Sequence, residues 1–230
     1  MPSAVFNRLT ELNRDIHDLN GVVSLLGWDQ ETYMPAKGLG MRARQIKTIS
    51  SILHTRKTDA EIGRLLDALQ SSSVDAQLTD LERACVREQR YDFERQRKLP
   101  VALVSRLAET TSLATEGWRQ AREQSDFSIF LPHLEKVIDL LRQQAEAYGY
   151  AESPYDALIE DYERGMTAAR IRPTFERLRT HLSKMIRAIA DADIRPRKDV
   201  LHRHYDSLRQ WEFGLRILKD MGFDFEAGRL

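Results

Sequence analysis

Six histidines, at positions 17, 54, 133, 181, 202 and 204, are the side chains best suited to hold a transition metal. Zinc hydrolases built on a helix use His-Glu-x-x-His, in which two imidazoles share a face and the Glu acts on the metal-bound water. None of the six is followed by Glu. His202 and His204 lie two apart, so on a helix they point about 200° away from each other and cannot chelate one ion from a regular turn. A di-iron carboxylate bundle needs a Glu-x-x-His pair from each of two helices, and that spacing is missing from the apolar stripes. Asp156, Glu160, Asp161 and Glu163 imitate a carboxylate cluster. Helical geometry nevertheless spreads the last three over different faces, and a helix dipole favours acids in its first turn for structural reasons. The single cysteine, Cys85, excludes an internal disulfide and is compatible with a reducing compartment. Between Ala84 and Val86, with no catalytic partner in view, it is expected to be a buried helical thiol. No phosphate-cradling Gly-rich loop is present. No catalytic, cofactor-binding or metal-ligating residue is therefore assigned in this chain.

Two stretches remain in which unusual residue types are interleaved. From Leu25 to Gln45, Trp28 and Tyr33 alternate with Asp29, Gln30 and Glu31 before a turn carrying Pro35, Gly38 and Gly40. This is either the wall of a site or a helix end with its aromatics packed in the core. From Arg87 to Lys98, basic residues alternate with Tyr91 and Phe93, as on a stacking surface for single-stranded nucleic acid. Glu88, Asp92 and Glu94 stand at pairing distance along a helix, so a solvated face is the better reading. Lys+Arg and Asp+Glu both number 35, and this zero net charge gives no nucleic-acid footprint. No apolar run approaches the ~18 residues of a membrane span. The opening Met1-Pro2-Ser3-Ala4 does not look like a signal peptide, so a cytoplasmic protein is expected.

These residues must be positioned by helices, because apolar residues recur in steps of three and four almost throughout. Ser3 can cap a first helix with Leu9, Leu12, Ile16, Leu19, Val23 and Leu26 on one side, ending near Trp28 to Tyr33. A second starts near Met41 with Ile46, Ile49 and Leu53 inward. Thr58-Asp59-Ala60-Glu61 has the form of a capping box opening a short helix to about Gln70, which Ser71-Ser72-Ser73 ends. Thr79-Asp80-Leu81-Glu82 repeats it for a helix to Leu99. Pro100 opens a helix with Val104, Leu107, Thr111, Ala114, Trp118 and Ala121 inward. The next carries Phe130, Leu134, Val137, Leu141, Ala145 and Tyr148, with Gly149 as a left-handed cap. A short acidic helix follows Ser153-Pro154 and closes at Gly165. Thr167 caps a helix with Ile171, Phe175, Leu178, Leu182, Met185 and Ile189 on one side, broken between Asp191 and Pro196. The last spans Asp199 to Met221 with Leu201, Tyr205, Leu208, Trp211, Leu215 and Leu218 inward, and the tail from Phe223 could begin a short strand. The expectation is an all-α bundle of long, roughly antiparallel helices forming one domain over residues 1–230, with Pro196 as its most plausible hinge.

Several blocks together resemble one family. They are Leu26-Gly27-Trp28-Asp29-Gln30-Glu31-Thr32-Tyr33-Met34-Pro35 with Gly38 and Arg42-Ala43-Arg44-Gln45; Ala121 to Phe127 with Phe130 and Pro132-His133-Leu134-Glu135; Tyr155 to Leu158 with Tyr162 to Thr167; and Gly222-Phe223-Asp224-Phe225 with Gly228-Arg229-Leu230. In this order they resemble the carboxypeptidase Taq family of thermostable zinc metallocarboxypeptidases. Arg164 stands where that family usually has Pro, and Ile159-Glu160 replaces a common Leu-Asp. The resemblance implies a grooved, mostly helical enzyme that removes residues from the free C-terminus of a peptide, with zinc or another divalent metal held by a His-Glu-x-x-His helix. The resemblance reaches only the N-terminal part, and the 230 residues contain no match to that helix. They are accordingly expected to be inactive alone, whether as a truncated product or a separately encoded half. The alternatives are a non-enzymatic helical module that self-associates, and one half of a split enzyme that joins a catalytic half. Trp28 and Tyr33 are expected to brace the first two helices beside the groove.

Overall fold

The stripes spaced by three and four do become helices. The computed structural model describes residues 4–228, with the side chains of 72 and 73 left out, and among these residues the fold is all-α without a strand. The chain divides into two compact units, Met1–Pro173 and Thr174–Leu230, a boundary that precedes Pro196.

The first unit contains α1 (Ala4–Thr32), α2 (Leu39–Lys57), α3 (Ala60–Leu69), α4 (Ser72–Asp75), α5 (Asp80–Gln96), α6 (Val101–Gln124), α7 (Leu131–Tyr148) and α8 (Pro154–Ile159). Here α2 lies against both α1 and α6, α6 packs on α7, α7 on α8, and α3 joins α1 to α5. One core gathers Leu9, Ile62, Leu66, Leu69, Leu78, Val86 and Phe93, so α1, α3 and α5 meet there, with Leu9, Leu12 and Ile16 of the expected first stripe on or against it. A second gathers Leu99, Leu103, Leu140, Ala145, Tyr148 and Ala157. Ser3, the expected first cap, lies outside the described residues.

Helix ends depart from the simple reading in instructive ways. Thr79 forms the full capping box with Glu82, whereas at the α2–α3 junction the cap is Asp59, whose carboxylate accepts from the Glu61 amide at 2.8 Å. Thr58 instead donates its hydroxyl back to the His54 carbonyl and belongs to the end of α2. Helix α3 ends at Leu69 with Gln70 as its C-cap, close to the expected bound, and the short α4 follows at once. Helix α5 stops at Gln96, short of Leu99. Gly149 does follow α7, with φ 81° and ψ 149°, a conformation open to glycine but outside the left-handed helical region.

Helix α6 corrects the expectation of a single inward stripe. Ser105, Ser112, Ala114, Gly117 and Ala121 are buried, while Thr111 is exposed and Trp118 is 51% exposed. With α2 on one side and α7 on another, small residues are what let the backbones approach. Gly117 shows this directly: a Cβ there would stand 2.6 Å from the His133 ring. Cys85 is exposed, not buried, since Val86 takes the inward position of that turn.

Helix α9 (Ala168–Asp191) begins in the first unit and continues into the second. Pro173 within it has no N–H to return to the carbonyl four residues earlier. The last expected helix is split into a 3-10 turn at Asp199–His202 and α10 (Ser207–Asp220), because Asp206 caps a new helix start through the Arg209 amide. The tail forms no strand within the described residues. Gly222 at φ 81° lets the Phe223 amide reach back to Leu218, and Asp224 then accepts from the amides of Ala227 and Gly228. The stripes of α9 and α10 bury no residue.

Candidate functional site

The Trp28 stretch is positioned by the end of α1 meeting the start of α2. Arg42, near the start of α2, reaches back across that junction to the last turns of α1. One guanidinium nitrogen donates to the Leu26 carbonyl at 2.5 Å, another to the Asp29 carboxylate at 2.6 Å, and Nε to Gln45 at 3.2 Å. The Asp29 carbonyl accepts from the amides of Tyr33 and Met34, turning the chain toward Pro35. Gln30 reaches α6, where its amide donates to the Ser112 carbonyl at 3.2 Å and its oxygen accepts from the Ser112 hydroxyl at 2.7 Å. Lys47 and Glu109 form a further α2–α6 pair at 2.6 Å. The Trp28 and Tyr33 rings meet at 5.3 Å, tilted by 59°, and Tyr33 is 66% exposed. Bracing therefore falls to Arg42, Gln30 and Ser112, and the aromatics form a small stack at the surface. Beside it, Val22, Leu26, Met41 and Ile49 line an apolar groove of about 570 Å³ between α1 and α2, rimmed by Arg44, Gln45 and Thr48.

The acidic α8 is docked, not poised for metal. Asp156 accepts from the Ala168 amide at 2.7 Å and so helps start α9. Glu160 accepts a short hydrogen bond from the Tyr91 hydroxyl and one of 2.7 Å from the Gly165 amide. Arg95 grips Asp161 at 2.7 Å, donates to the Ala157 carbonyl at 2.6 Å, and lies 3.6 Å from the centroid of the Tyr148 ring. Arg164, the residue in place of the resembled family's Pro, lies 3.5 Å from the Tyr91 ring centroid and donates to Glu88 at 2.5 Å. Glu163 is exposed.

Electrostatics follow from these partners. Burial first, and then the hydrogen bond to Glu160, push the Tyr91 hydroxyl up to about 12. Burial pushes the Glu160 carboxyl up, but Tyr91, the Gly165 amide and the nearby Arg95 and Arg164 outweigh it and hold the group below its ordinary value. The proton stays on the phenol. Next to this cluster a cleft of about 610 Å³ is lined in part by Asn13, Lys57, Cys85, Gln89 and Asp92. Burial lowers the Lys57 ammonium, with Asp92 opposing.

No zinc site fits. Among the described residues no group of three or more His, Cys, Asp or Glu side chains is placed to hold a metal ion. His54 is buried with Nε2 at 2.8 Å from the Leu99 carbonyl, and His133 sits against Gly117. The basic stretch is not a stacking platform either. Phe93 is in the core, Tyr91 is engaged, and Arg90 pairs with Asp67 at 2.5 Å and with Glu94. Among the described residues no helix is long and apolar enough to cross a membrane. The residues that sequence reasoning missed are Arg42, Gln30 and Ser112 as cross-braces.

Comparison with known proteins is consistent along the whole chain. The family model described as carboxypeptidase Taq (M32) metallopeptidase matches residues 8–230. Thermostable carboxypeptidase 1 of Thermus thermophilus is 36% identical over 239 residues, covering 100% of this chain and 47% of that protein. The protein of the same name from Pyrococcus furiosus is 33% identical, covering 91% of this chain and 42% of its own. Among solved structures, the BsuCP crystal structure superposes with a TM-score of 0.90 at 26% identity, over 99% of this chain and 45% of that one. The M32 carboxypeptidase of Deinococcus radiodurans gives a TM-score of 0.78 at 35% identity, over 97% and 44%. The chain thus spans about half the length of the curated relatives it matches.

Proposed function

The chain belongs to the carboxypeptidase Taq (M32) metallopeptidase family, and from that premise we propose that residues 1–230 make up one helical, N-terminal portion of a zinc-dependent metallocarboxypeptidase. In this reading the complete enzyme hydrolyses the C-terminal residue from a peptide. The zinc, or another divalent ion, belongs to a portion of the family fold that these residues do not match. What carries the proposal is a coverage of 99% on this side against 45% on the other at a TM-score of 0.90. Nearly every residue here has a counterpart in a chain that contains as much again. The chemistry of this portion is supportive. Arg42, Gln30 and Ser112 cross-brace α1, α2 and α6, and the Tyr91–Glu160 and Arg95–Asp161 pairs tie the end of α8 to α5.

A second reading, a non-enzymatic module that self-associates, draws on the exposed apolar faces of α9 and α10. A third, a split enzyme, differs from the first only in how the remainder is supplied. The test is hydrolysis of a blocked dipeptide and zinc content for the purified 230-residue chain. Background hydrolysis and no stoichiometric zinc are expected, and chelator-sensitive release of C-terminal residues by this chain alone would end the first reading.

A further inference from the structure

The second unit presents a feature that its sequence does not lead one to expect. Helices α9 and α10 each carry a continuous apolar stripe, yet neither buries a residue. On α9, Phe175 is 63% and Ile189 59% exposed, with Leu182 and Met185 between them also exposed; on α10, Trp211 is 54% exposed and Leu208 is exposed as well. A helix with one apolar face is built to cover something, and exposed apolar patches rimmed by polar residues mark interaction surfaces.

Three occupants are conceivable: a second copy, a lipid surface, and further chain of the same fold. Family membership and coverage favour the last. Both helices lie inside the matched residues 8–230, so they are elements of the family fold and not additions to it. The chain as a whole also superposes, over 99% of its length and at a TM-score of 0.90, on a chain of which it fills only 45%. A relative that keeps the same backbone and more than doubles the chain has protein available to lie on these faces.

We propose that the apolar faces of α9 and α10 are the docking surface for the metal-bearing portion of an M32 chain, supplied by the same polypeptide or by another. This rests on the reading of the chain as part of a metallocarboxypeptidase and identifies the surface through which that part joins the rest.

The experiment compares the 230-residue chain alone with a fusion in which it replaces the matched segment of the Thermus thermophilus relative. Hydrogen exchange is read helix by helix. Amides of α9 and α10 should exchange rapidly in the chain alone and at least tenfold more slowly in the fusion, while those of α3 and α5 stay the same. The double variant Leu182→Asp, Met185→Asp should lower the melting midpoint of the fusion and leave that of the isolated chain unchanged. Unchanged exchange in α9 and α10 on fusion overturns the docking surface. So does concentration-dependent protection of these helices in the chain alone, which assigns the face to a second copy, or their protection by anionic phospholipid vesicles. A fusion that protects α9 and α10 but hydrolyses no peptide keeps the docking surface and removes the functional reading beneath it. If the fusion does not fold, Phe175→Gln with Ile189→Gln in the isolated chain decides: an unchanged melting midpoint and reduced binding of an apolar dye support an uncovered face, and a clear drop in midpoint overturns it.

Discussion

Arg42 is the residue on which the diagnostic stretch turns. Its planar fork reaches the Leu26 carbonyl and the Asp29 carboxylate at once, which an ammonium on a flexible stem does poorly. Hydrogen bonds involving a charged group contribute about 1.5–3 kcal/mol each when lost from a partly buried site. Arg42→Ala should therefore lower the unfolding free energy by about 2 kcal/mol in urea titrations, and Arg42→Lys should restore less than half of that. The Tyr91–Glu160 pair makes a second claim, in pH. Glu160 is held below its unfolded value, so its contribution is present above the ordinary carboxylate range and is lost as pH falls through the lower, folded value. Tyr91 is raised to about 12, so its contribution is complete below the ordinary phenol value of about 10 and is lost as pH rises toward 12. Stability measured across pH should fall at both ends, and Tyr91→Phe should flatten both limbs. Residue pairings like these were only half legible in the sequence. The local pairing of Arg90 with Glu94 follows from a spacing of four, but Arg95 meeting Asp161 and Tyr91 meeting Glu160 depend on where α8 lands.

At the scale of elements, periodicity carried most of the fold, because a stripe with steps of three and four has few interpretations besides a helix. Helices α1 and α7 fall where their stripes place them, and α5 starts where the Thr79 capping box places it. The misses share a cause: they lie where a helix has more than one neighbour or where two caps compete. In α6 the stripe marks Ala114 and Ala121 correctly, but the interior also takes Ser105, Ser112 and Gly117, which no hydrophobicity pattern marks, since small residues allow close approach to α2 and α7. At the α2–α3 junction, Thr58 and Asp59 both have capping chemistry, and the backbone at Asp59, with φ −60° and ψ 134°, gives it the role. Asp59→Ala should cost about 1 kcal/mol in global stability, as loss of an N-cap does, with Thr58→Ala costing less than half as much. Equal losses in thermal or urea unfolding would return the cap to Thr58. The candidate site followed the same division. The stretch from Leu25 to Gln45 was legible as unusual, while the contacts that make it a wall come from α6, some eighty residues later in the chain.

For the whole molecule, the decisive contrast is between a first unit with two cores and a second in which α10, and α9 beyond Pro173, bury nothing. Ordering a residue costs roughly 1–2 kcal/mol of backbone entropy, and burial of a Leu, Ile or Phe side chain returns about 1.5–3 kcal/mol. The first unit meets that cost through fully buried side chains such as Leu66 and Leu69. The second has little to set against it except helix hydrogen bonds, caps at Asp206 and Gly222, and salt bridges such as Arg197–Asp199 that are exposed and worth little. Local opening is therefore expected to be uneven. In native-state hydrogen exchange of the 230-residue chain, amides of residues 174–230 should open at free energies several kcal/mol below those of α3 and α5, and limited proteolysis should cut first within that range. Exchange of α9 and α10 at the same free energy as α3 and α5, at low protein concentration, would show one cooperative body and remove the physical reason for seeking a partner for those faces.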